Sequence, residues 1–181
     1  MRILSCGILR NELEHLMAGQ DVQRVYVEPG LHVDLQKLQS CIEESLEKDE
    51  YRSLFFGQKC HPDLAYIADK RGVSLPKAQN CIEMILGDRL ADLDAEAKTF
   101  YVTAGWLENW QAIFMDGLRW DEVDARQNFG YYDRIVLLDT GVAHVDEMQV
   151  LAFYEYTQVP IEILAVDLSH LRGLIEKLLE K

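Results

Sequence analysis

Seven short β-rich runs, each followed by helical periodicity or a turn signal, recur along the 181 residues and constrain the fold more than any other feature. They are RILSC (2–6), VQRVYVEP (22–29), RSLFFG (52–57), VSLP (73–76), KTFYVT (98–103), RIVLLDT (134–140) and PIEILAVD (160–167). Between them, apolar residues return at helical spacing: Ile8, Leu9, Leu13, Leu16 and Met17, then Leu35, Leu38, Cys41, Ile42 and Leu46. A short helix closes at Gly72, and another begins with Asn80 as its cap. A long, interrupted helical region runs on from Gly105, and two further helices occupy about 143–157 and 168–180. Strands separated by helices need crossover connections, which make neighbouring strands parallel and bury both sheet faces. The expectation is one α/β domain over residues 1–181, a three-layer sandwich with a mostly parallel sheet and helices on both faces.

Charge narrows the partners. The chain has 31 acidic and 18 basic residues, a formal net charge of −13. Phosphates would be repelled by that field, which argues against nucleic acid and anionic membranes. No stretch approaches the ~18 apolar residues of a spanning helix. The opening residues read as a first strand and lack a cleavage signal, so a cytoplasmic setting is expected. A reducing cytosol disfavours disulfides among Cys6, Cys41, Cys60 and Cys81.

Three of those cysteines share a location. Cys6 ends the first expected strand, Cys60 follows the third, and Cys81 follows the fourth at a helix start. Carboxyl ends of parallel strands lie on one edge, where such folds bind ligands, so the three sulfurs are expected to face one crevice. Thiolate and imidazole suit zinc or iron, and three protein ligands leave a position open. His61 and His32 fall on the same edge and are secondary candidates, whereas Cys41 lies on an apolar helix face and reads as core.

The segment TAGWLENW (103–110) should reach that edge too. Trp106 and Trp110, four apart, share one helix face and form either an aromatic wall for a ligand or, as aromatic packing favours, part of the core; Gly105 and Trp106 are the residues expected at a substrate pocket. Glu108 reads as an exposed helical carboxylate rather than a base. Asp139, in LLDTGVA (137–143), could line the crevice, but Asp-Thr-Gly between a strand and a helix is no aspartic protease. His61-Pro62-Asp63 lacks the two-helix setting of a J-domain, and Pro62 reads as a helix starter. Neither a dinucleotide-type GxGxxG, a Walker loop, a GxSxG elbow nor a CxxC pair occurs.

The opening Cys6-Gly7, FFGQKC (55–60), NCIEMILGDR (80–89) and FYVTAGWLENW (100–110) resemble the domain-of-unknown-function 1638 family, from Cys6 through to the last strand. The resemblance implies that Cys6, Cys60 and Cys81 occupy the family's cysteine positions and Gly105-Trp106 its glycine-tryptophan. His61 stands where the family commonly has glycine. It also implies a setting among genes of corrinoid-dependent methyl transfer, with a corrinoid or a methyltransferase protein as partner. The leading expectation is a metal-binding protein, and in its sharper form an enzyme of methyl or one-carbon metabolism acting on a small molecule. The alternatives are a non-catalytic module holding metal or corrinoid, and a thiol-redox protein.

Overall fold

The computed structural model describes residues 1–180 and is an α/β fold built on two parallel three-stranded sheets. The first contains β1 (Arg2–Cys6), β2 (Gln23–Val27) and β3 (Ser53–Phe55) in the order β2-β1-β3. The second contains β4 (Thr99–Thr103), β5 (Arg134–Asp139) and β6 (Ile161–Ala165) in the order β4-β5-β6. Six of the seven strands expected from the alternation are present and parallel, but they divide between two sheets. VSLP contributes only an isolated bridge, Ser53 to Ser74, at the edge of the first sheet. Its Pro76 carries no N–H, so the run cannot extend a ladder.

The central strands read as such in the sequence. Along β1 and β5 successive residues are buried on both faces, which only a strand covered from both sides can accommodate. Edge strand β6 is exposed or half-exposed throughout.

Crossover helices follow from periodicity and caps. In the first half these are α1 (Arg10–Leu16), α2 (Leu35–Lys48) and α3 (Leu64–Arg71). The Asp34 carboxylate accepts the Lys37 N–H at 3.0 Å and starts α2. Gly72 ends α3 with φ +66, a left-handed turn that costs glycine no steric clash. Then come α4 (Cys81–Leu86) and α5 (Arg89–Glu96), separated at Gly87.

The expected interruptions after Gly105 are real. They separate α6 (Ala104–Trp110) from a π-helical stretch (Gln111–Gly117) and α7 (Glu122–Phe129). The last helices are α8 (Glu147–Thr157) and α9 (Ser169–Leu179). Buried residues of both sheets belong to one hydrophobic cluster, from Ile3 and Leu54 through Leu137 and Phe153. Among the described residues no helix is long and apolar enough to cross a membrane.

The carboxyl ends of the two sheets meet. The Thr140 hydroxyl, after β5, donates to the Glu12 carboxylate of α1 at 3.1 Å. The Asn11 amide donates to Glu108 of α6 at 3.2 Å. At Gly105 the backbones are so close that a Cβ would lie 2.0 Å from the Ile8 carbonyl oxygen.

Candidate functional site: a buried thiol and imidazole cluster

Cys6 is the last residue of β1 and the cap of a 3-10 turn over Gly7–Leu9, where its sulfur accepts the Ile8 N–H at 3.4 Å. A second 3-10 turn, Pro29–Val33, follows β2 and carries His32. The His32 Nδ1 lies 3.0 Å from the Pro29 carbonyl oxygen. A carbonyl can only accept, so Nδ1 carries the ring proton and Nε2 presents a lone pair. The Cys6 sulfur lies 3.5 Å from that nitrogen and 3.8 Å from Nδ1, beside the ring edge between them, and the thiol is the donor to Nε2.

Cys60 and Cys81 are brought together by backbone pairing between their loops. Gln58 N–H donates to Ala78 O at 2.9 Å, and Lys59 N–H to Gln79 O at 2.8 Å. The pairing depends on Gly57, where a Cβ would stand 2.3 Å from Asn80 Cα. Asn80 then starts α4 by accepting the Glu83 N–H at 2.9 Å, while the Glu83 carboxylate reaches back to the Gln79 N–H at 2.7 Å. Cys81 is the first residue of that helix.

Burial dominates the electrostatics. It pushes the Cys6 thiol well above its usual range, with the Cys81 thiol adding to the rise, the Ile8 N–H opposing it and Cys60 adding a little more. The Cys81 thiol is pushed up to about 12 by burial; the Trp106 indole lowers it as a hydrogen-bond partner, and Cys60 raises it. Cys60 is raised as well, chiefly by burial and against the Gly57 backbone. His32 moves the other way, because burial disfavours its charged form and only partly yields to the Pro29 carbonyl. Burial thus favours the neutral form of all four groups.

The second half supplies a wall. Trp106 lies in the first turn of α6, where Thr103 caps the helix. Its ring is 5.7 Å from the His32 ring and stacks on Phe114 at 6.0 Å. Cys81 and Trp106 also border an open cleft of about 320 Å³, with Asn80, Ile82, Leu90 and Phe100. That is near the lower end of small-molecule sites, ~300–1,000 Å³.

The remaining sequence candidates have other places. His61 is buried, and its Nδ1 accepts the Asp63 N–H at 3.1 Å, so that nitrogen is engaged in a turn. Gly105 serves the close approach to Ile8 rather than bordering the cleft. Asp139 accepts the Gly141 N–H at 2.9 Å and forms the turn after β5. Cys41 packs half-buried against the core, and Trp110 sits within it beside Phe153 and Tyr156.

Among the described residues, no three His, Cys, Asp or Glu side chains stand grouped tightly enough to hold a metal ion as they are. The Cys6–His32 pair is the closest assembled part of the expected set. His32 is better placed than His61, and only the proline-led 3-10 turn that aims it could have signalled this. Sequence reading also passed over Glu12, which is fully buried with one carboxylate oxygen unpartnered.

Fold and site together define a parallel α/β protein with a neutral cluster of thiols and one imidazole where its two sheets meet. The chain belongs to the DUF1638 family, described as a protein of unknown function, whose model matches residues 26–175. That match covers Cys60, Cys81 and Trp106 but begins after β1, so Cys6 lies outside it, contrary to the span expected from the sequence. No curated protein matches the chain. A solved structure, a sugar transporter from Clostridium phytofermentans, aligns with 99% of this chain and 91% of its own at 10% identity and a TM-score of 0.43. At that score the likeness carries no argument.

Proposed function

We propose that the cluster is a site for a thiophilic metal ion, zinc or iron, with Cys6 and His32 as its first two ligands and either Cys60 or Cys81 closing on them as the third. The observation that carries this reading is the Nε2-to-sulfur distance of 3.5 Å, with Nδ1 already committed to the Pro29 carbonyl. A tetrahedral zinc with ~2.3 Å to sulfur and ~2.0 Å to nitrogen holds those atoms about 3.5 Å apart. The separation matches one edge of a tetrahedron, and a turn of the Cys6 side chain or of the imidazole would aim the sulfur and the Nε2 lone pair at a common ion. Cys60 or Cys81 would have to move toward the pair to supply the third ligand, because no three such side chains are grouped as they stand among the described residues.

Charge supports the same reading. Protonated thiols and a neutral imidazole suit a buried site, and a divalent cation that displaces two thiol protons leaves it neutral again. Thiol–disulfide exchange fits less well, because attack requires a thiolate and burial holds all three thiols protonated. The cleft beside Cys81 has room for a small molecule next to the ion. Methyl or one-carbon chemistry, with a corrinoid protein as partner, is the context that family resemblance supplies.

The test is calorimetric titration of zinc into reduced protein, in buffers of different ionisation enthalpy near pH 7. One ion per chain with about two protons released is expected. Cys6→Ser and His32→Ala should each weaken binding more than tenfold, while Cys41→Ser should not. Binding without proton release, or equally strong in Cys6→Ser, rejects the site.

A further inference from the structure

A second cavity, of about 620 Å³, lies between the loop Leu75–Lys77 and one face of α9. Its floor is apolar, with Pro76, Leu174 and Leu178 buried beneath it. Its charged groups are Lys77, Lys177 and Glu180, with His170 beside them. In a chain of net charge −13 a cationic enclosure is unusual. Among the described residues neither lysine forms an ion pair, whereas Arg2, Arg24, Arg71, Arg126 and Arg134 all do.

The shape is set by two local features. His170, Leu174, Lys177 and Leu178 fall at positions i, i+4, i+7 and i+8 of α9 and so share one face. His170 packs over Gly87, where a Cβ would stand 2.7 Å from its Nδ1. The imidazole therefore has a fixed seat at the end of α4.

The geometry points to a binding site for an amphipathic carboxylate, an organic monoanion whose alkyl or aryl body lies on the leucine floor. Among the described residues, two lysines opposed by one glutamate leave a single positive charge, which matches one carboxylate. A phosphate dianion would meet Glu180 and too few donors to replace its water. Lysine stems can lie along the apolar wall while their ammonium groups reach the headgroup. The volume falls within the ~300–1,000 Å³ common for small-molecule sites.

The experiment uses the full chain and decanoate below its micelle concentration, with 1-decanol and decyltrimethylammonium as matched-chain comparisons. Calorimetry or ligand-observed NMR should show saturable binding of one decanoate per chain, at least tenfold tighter than the alcohol, and no binding of the cation. Lys77→Glu with Lys177→Glu should weaken decanoate binding at least tenfold at unchanged melting temperature, while Lys37→Glu with Lys48→Glu should have no effect. The inference is overturned by non-saturable uptake, by equal affinity for decanol, or by decanoate binding that survives the Lys77/Lys177 double change. Should that double variant fail to fold, Leu174→Gln provides the second measurement, with the same tenfold loss expected.

Discussion

The two halves use the same unit, three parallel strands with helical crossovers, but thread it differently. In the first sheet the chain starts in the middle, moves to one side and returns to the other, giving β2-β1-β3. In the second it proceeds strictly outward, β4-β5-β6. Only the first order reverses direction, and the reversal opens a crevice beyond the carboxyl ends of β1 and β3. Cys6 ends β1 and Cys60 follows β3, so the sulfurs occupy the switch point. The second half has no reversal and no cysteine. It contributes an aromatic cluster, in which Phe114, Phe129 and Phe153 meet at ring distances of 5.2–6.1 Å. Threading thus separates the half that carries the cysteines from the half that carries the aromatic cluster.

If that division is right, the halves should respond in opposite ways to substitution. The largest loss of stability is expected from Phe153→Ala, about 3–5 kcal/mol by urea unfolding, because a fully buried ring leaves a cavity among its neighbours. Gly105→Ala comes next at about 3 kcal/mol, since the added carbon meets the Ile8 backbone and not a yielding side chain. A smaller loss there would mean that the halves are not held by that contact.

Cys6→Ser should change stability by less than about 1 kcal/mol, because a serine oxygen can cap the Ile8 N–H as the sulfur does. Its metal affinity should nevertheless collapse. Loss of both together would erase the distinction between the two halves.

The smallest effect concerns the seam. Burial raises the Glu12 carboxyl against its own backbone N–H and the Thr140 hydroxyl, with Glu108 adding to the rise. Its folded form keeps a proton that the unfolded chain releases. The resulting stability is complete below the ordinary glutamate range and is lost as pH rises through the raised value. Glu12→Gln should flatten that decline and leave the protein about 1 kcal/mol more stable at neutral pH. An unchanged pH profile would show Glu12 to be ionised in place.

Much of this was legible in the sequence because it is local. The apolar runs of β1 and β5, the cap at Asn80 and the left-handed stop at Gly72 are each decided within a few residues. Parallel strands also put Cys6 at the end of β1 and Cys60 after β3, on the same edge of the first sheet. The split into two sheets was not legible, because β-propensity does not say which strand is the neighbour. Nor was the choice of His32 over His61. Both follow strands, and a proline-led turn with its own carbonyl decides which imidazole offers a free nitrogen. Glu12 escaped for the same reason, since a carboxylate in a helical pattern looks solvated until Thr140 arrives from the other half.

The order of parts along the chain has a consequence in time. All four cysteines lie in the first 81 residues, whereas the indole that covers Cys81 arrives at position 106. At translation rates of ~5–20 residues per second, roughly one to five seconds separate the two. During synthesis the thiols therefore stand open before their cover exists, and that interval is their easiest moment to be loaded or oxidised.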